Sequence, residues 1–75
     1  MKDMLTEKQK REFEKFFDFY SFQKEYNSEW RAEYNFKMFA LKDAVKILGY
    51  KFEPKGIVNE CGIAYQKFEL VKINK

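Results

Sequence analysis

Histidine is absent from this chain, cysteine and proline occur once each, and glycine occurs three times. Each shortage excludes something. Without histidine the commonest general base is missing. With Cys61 as the sole thiol, no disulfide can form within the chain, and a tetrahedral zinc cage has too few ligands. A lone cysteine fits a reducing compartment, so a cytoplasmic setting is expected. There is no long apolar run for a membrane span, and MKDMLTEKQK lacks the hydrophobic stretch of a signal peptide. Neither a Gly-rich phosphate loop nor a nucleophile elbow is found. No enzyme and no cofactor are expected.

Charge of one sign is also scarce. The net charge is only +3. Residues 1–27 balance six basic against six acidic side chains, and the mild excess sits toward the C-terminal end. A dedicated DNA binder would carry a stronger basic stripe.

Aromatic side chains, by contrast, are plentiful: nine Phe, five Tyr and one Trp in 75 residues. A chain of this length forms one domain, 1–75, whose single core supplies roughly 3–5 kcal/mol of net stability. With disulfides and zinc excluded, good packing or association has to supply the rest.

Proline and glycine are confined to positions 49–62. That divides the chain into a helical first two-thirds and a strand-and-turn remainder. Thr6 followed by Gln9 is a capping-box pattern, and Phe13, Phe16, Phe17 and Tyr20 then recur at helical spacing. Beyond Tyr20 the stripe turns: Phe19, Phe22 and Tyr26 lie roughly 180–240° round from Phe13. A first helix over about 6–26 is expected. A second should run over about 28–48, capped by Asn27 or Ser28 and ended by Gly49.

That second helix has two apolar groups. Trp30, Tyr34, Met38, Leu41, Val45 and Leu48 form one, and Ala32, Phe36, Phe39, Ala40 and Ile47 the other. A helix apolar on two sides is normally sandwiched. The expectation is that helix two lies between helix one and the hairpin.

Strands are expected over about 50–58 and 63–73, joined by a turn at Asn59–Gly62 with Gly62 left-handed. The alternation slips between Ile63/Tyr65 and Phe68/Leu70, which points to a bulge near Gln66–Lys67. The fold class is therefore α+β in the order α-α-β-β, an antiparallel hairpin packed on the second helix.

Three constellations carry functional expectations. The pairs Glu14/Asp18 and Glu29/Glu33 sit beside lysine or arginine at helical spacing and read as solvated charge rather than metal ligands. Lys51, Lys55, Lys67 and Lys72 interleave with aromatics on the hairpin, the arrangement that holds single-stranded nucleic acid, but the field is weak. Phe19, Phe22, Tyr26 and Phe36 exceed what one small core absorbs. Either the loop around Asn27 or the N-terminal arm (Met1, Met4, Leu5) folds over them, or they form an interface with a protein partner. That partner is a second copy in a homodimer, or a different protein. The expected function is a small cytoplasmic protein-binding module of the regulator or inhibitor type encoded by phages and mobile elements. A nucleic-acid-associated protein using the hairpin lysines is the alternative.

Overall fold

The computed structural model describes residues 5–73. Helix α1 spans Glu7–Tyr26, a 3-10 turn spans Ser28–Trp30, and helix α2 spans Arg31–Ile47. Strands β1 (Tyr50–Glu60) and β2 (Ile63–Lys72) pair antiparallel as a two-stranded sheet. The hairpin contacts both helices, giving an α+β fold.

The local signals act as their chemistry dictates. Thr6 Oγ1 accepts the Gln9 N–H (3.1 Å), and Gln9 Oε1 accepts the Thr6 N–H (3.0 Å), so two otherwise orphaned donors of α1 are satisfied. Asn27 ends the helix, donating its N–H to Gln23 O (2.7 Å). The second helix starts later than its expected cap. No side chain caps it, and the chain enters through the tighter 3-10 turn, with Trp30 N–H donating to Asn27 O (2.9 Å). At its far end Gly49 takes φ +89° and donates to Lys46 O (2.9 Å).

The hairpin turn is shorter than expected. Glu60 pairs with Ile63, so only Cys61 and Gly62 lie in the loop, and both have positive φ (53° and 79°), the signature of a type I′ turn. Strand β1 runs unbroken through Pro54 and Gly56 by means of a bulge. The bulge lies in β1, where Lys55 stands opposite no residue, and not in β2 at Gln66–Lys67 as the alternation implied. The two sequence positions face each other: Pro54 pairs with Phe68 and Gly56 with Lys67. The slip in β2 follows from the bulge in its partner strand. Phe68 and Leu70 point to one face of the ribbon and Tyr65 to the other, and the added twist at the bulge lets both reach α1.

Phe17, 1% exposed, is the centre of the packing. Its ring stacks on Phe52 (3.8 Å between centroids) and meets Phe68 edge-on (4.7 Å). Val45, Tyr50 and Leu70 form the adjoining cluster, with Leu5, Phe13 and Phe52 against it. Nearer the hairpin tip, Tyr65 meets Phe22 edge-on at 5.2 Å.

The layering corrects the expectation. Helix α1, not α2, is the middle element: it lies against α2 on one side and along β2 on the other. The hairpin does rest on α2, where Val45 meets Tyr50, but its broader contact is with α1. The reason is a polar row. Glu14 Oε2 accepts the Leu70 N–H (2.9 Å), Asp18 Oδ1 accepts the Phe68 N–H (2.9 Å), and the Ser21 hydroxyl donates to Gln66 O (2.7 Å). Residues 14, 18 and 21 ascend α1 while 70, 68 and 66 descend β2. Seven helical residues rise about 10.5 Å, and four strand residues about 13 Å, so the two rows stay within reach of each other. Helix α1 thereby occupies the place that a third strand would take at the open edge of β2. Of the carboxylates expected to be solvated, Glu14 and Asp18 are structural acceptors, whereas Glu29 and Glu33 are exposed.

Candidate protein-binding surface

Helix α2 turns Met38 and Val45 inward, both buried, and its Tyr34 ring lies 6.0 Å from the Tyr20 ring of α1. Phe36 is two residues before Met38, about 200° round the helix. It therefore points away from the body of the protein. Ala32, Phe39, Ala40 and Ile47 lie within about 60° of it. All five are exposed: Phe36 at 73%, Phe39 at 61% and Ile47 at 86%. Only Asp43 interrupts the row.

Charged side chains border it on both flanks, Glu33 and Lys37 on one and Arg31, Lys42 and Lys46 on the other. The Lys42 Nζ sits 5.4 Å from the Phe39 ring centroid. The second apolar group of α2 is thus not covered by the hairpin. The expectation of burial fails because α1's polar row holds the hairpin along α1, and the hairpin meets α2 on the flank of Val45 rather than on that of Phe36 and Ile47.

The residues expected to bind a protein partner do not form one face. Phe19 (52%) and Tyr26 (60%) are exposed on α1, whereas Phe36 lies on the far side of α2. Phe22 is half-buried, stacked against Tyr26 (5.6 Å) and edge-on to Tyr65. The suggested N-terminal cover does not reach this group through Leu5, which packs on the Val45–Tyr50–Leu70 cluster. Met1 and Met4 lie outside the described residues. Sequence reasoning singled out Phe36 but gave Phe39 and Ile47 to the core. The signal that would have separated them is the Glu14, Asp18, Ser21 alignment, which marks where the hairpin goes.

The hairpin lysines do not converge. Lys51 pairs with Glu53 (3.0 Å) near one end, while Lys67 pairs with Asp18 (3.7 Å) beside the bulge that carries Lys55. Lys72 stands opposite Tyr50, at the Lys51 end. Asp18 itself is held above the ordinary carboxylate value of 3.8 by burial, a penalty that the Phe68 N–H and the lysines at 67 and 55 only partly offset.

Among the described residues, no group of three or more Cys, Asp or Glu side chains is assembled that could hold a metal ion. No helix among them is long and apolar enough to cross a membrane. Cys61 is exposed at the hairpin turn. No family model, curated protein or solved structure matches this chain.

Proposed function

We propose that the protein is a non-enzymatic binding module that docks on another protein through the outer face of α2. The observation that carries this reading is the exposure of Phe36, Phe39 and Ile47 together on one flank of a helix whose opposite flank is already packed. Small soluble domains seldom leave such a row open, and covering each of these side chains gains about 1.5–3 kcal/mol. An apolar centre with a charged rim is also the usual layout of a protein interface.

A different protein suits the face better than a second copy. Two copies laid antiparallel along this row, about a two-fold axis perpendicular to the helices, would set Arg31, Lys42 and Lys46 against the same basic flank of the other. Like charges so placed oppose association. The absence of histidine from the sequence supports the non-enzymatic side of the reading.

The test is a crosslinked affinity capture from the native host with the wild-type chain and with Phe36→Ser/Ile47→Ser. A protein captured by the first and lost from the second is expected. Capture profiles identical for the two chains would overturn the assignment of this face. Light scattering during chromatography should give a single-chain mass for both.

A further inference from the structure

A cleft of about 430 Å³ lies between α2 and β1, lined by Phe39, Lys42, Lys46, Tyr50, Lys51 and Phe52 among others. It adjoins the α2 outer face, with which it shares Phe39, but neither Phe36 nor Ile47 lines it. Successive residues of a strand point to opposite faces. A cleft touched by both Lys51 and its neighbours Tyr50 and Phe52 therefore runs along the margin of β1.

The backbone at that margin is directed outward, which follows from the phase of the ladder, and it has no partner among the described residues. Residues directly opposite each other in an antiparallel pair exchange both hydrogen bonds or neither. The Leu70 and Phe68 N–H groups are taken by Glu14 and Asp18, so the Phe52–Leu70 and Pro54–Phe68 pairs exchange none. The bond from Ile73 N–H to Gly49 O (2.9 Å) fixes the same phase independently. It follows that the Phe52 N–H and C=O, and the Pro54 C=O, are directed away from β2, on the α2 side of the ribbon. The two edges of the hairpin thus differ: α1 satisfies one, and the other faces a cleft.

The rest of the β1 edge is protected by familiar means. Pro54 has no N–H, and Lys55 with Gly56 forms the bulge, so ladder pairing cannot extend far past Pro54. The open stretch is short and adjoins lysines. Lys42 and Lys46 make no ion pair among the described residues, and Lys51 is held only by exposed Glu53. Among the described residues, Asp43 is the one acidic side chain lining the cleft.

We propose that this cleft takes a short, extended, acidic segment of a partner protein, which adds to β1 as a third strand. Its backbone would bond to Phe52 and to the Pro54 carbonyl. Apolar side chains on one side of the segment would lie against Phe39 and Phe52, and carboxylates would meet Lys42, Lys46 and Lys51. Backbone bonds provide affinity in this mode, while the side chains on alternate positions provide selection. The lysine rim gives the segment its negative sign.

The experiment is selection of a displayed random decapeptide library on the immobilised full chain, followed by anisotropy measurements on the enriched peptides made synthetically. Enrichment of acidic residues alternating with apolar ones is expected. Lys42→Glu/Lys46→Glu should weaken such a peptide about tenfold or more. N-methylation of the peptide should weaken it by about the same factor at the positions that bond to β1, and little at the positions between. Phe36→Ser/Ile47→Ser should leave the affinity unchanged, so a failure here is distinct from a failure of the α2 outer face. The proposal is overturned by no enrichment, by enriched peptides without acidic residues, or by insensitivity to N-methylation. It is equally overturned if an oligothymidylate binds through the same lysines in place of the peptide, or if a second copy of the chain occupies the cleft.

Discussion

The two helices of this protein have similar lengths, and α2 is the richer in apolar side chains, but it is α1 that is the more fully packed. Helix α1 is committed on both flanks. Its Phe17 fills the core, while Glu14, Asp18 and Ser21 bond to the backbone of β2. Helix α2 is committed on one flank only, and the row from Ala32 to Ile47 faces solvent. Hydrophobicity alone does not separate the two cases. What separates them is that a strand edge needs hydrogen-bonding partners, and α1 has polar side chains at the right spacing to supply them.

The sharpest way to break this comparison is to truncate one ring on each helix. Phe17→Ala should cost about 3–5 kcal/mol, because the ring is enclosed by Phe52 and Phe68 and its removal leaves a cavity. In a domain this small, that loss unfolds much of the population. Phe36→Ala should change stability by no more than about 0.5 kcal/mol. Chemical denaturation of the two variants measures both, and equal losses would mean that α2 is covered on its outer side.

The next largest effect is expected along the polar row. Asp18→Ala leaves the Phe68 N–H without its acceptor, and Ser21→Ala removes the donor to Gln66 O in a fully enclosed site. Each should cost about 1–3 kcal/mol. Asp18→Asn keeps an oxygen in place and should recover most of the loss at position 18. If Asp18→Ala were as stable as wild type, α1 would not be serving as the edge partner of β2.

A pH series sharpens the same point. Burial raises the Asp18 carboxyl above its ordinary value, so the folded state holds that proton more tightly than the unfolded chain. The stability this contributes is fully present below the ordinary value of 3.8 and is lost as pH rises through the raised folded value. The stability of wild type minus that of Asp18→Asn should therefore fall as pH increases across this window. A difference that rises instead would mean that Lys67 and the Phe68 N–H outweigh desolvation.

These particulars also mark how far the sequence could be read. The capping box at Thr6 and Gln9, the stop at Gly49 and the left-handed Gly62 were legible because each is a local backbone requirement met by a residue suited to it. The order of the layers was not legible from apolar spacing. Glu14, Asp18 and Ser21 look like surface residues until a strand edge is placed beside them, and that edge lies more than forty positions away in the chain. The bulge was detected from its effect on β2 but belongs to β1, since a slip in alternation does not say which strand carries the extra residue. For the binding surface, Phe36 is legible as a candidate, but apolar spacing also sets it with Phe39 and Ile47 under the hairpin, because spacing does not show that α1 takes the hairpin's edge.

The smallest expected effect is the most informative about purpose. Phe36→Ser/Ile47→Ser removes two large apolar side chains from α2, and in an ordinary helix that faces a core this would be ruinous. Here both residues contact mainly water, at 73% and 86% exposure, so the unfolding free energy should stay within about 0.5 kcal/mol of wild type. Serine has nearly the same helix propensity as the phenylalanine and isoleucine it replaces, which leaves little room for a propensity effect. Unchanged stability measured by denaturation, together with loss of the captured partner, would separate binding from folding at these positions. A large loss of stability would place Phe36 and Ile47 in contacts of the chain with itself and leave the α2 face with nothing to bind.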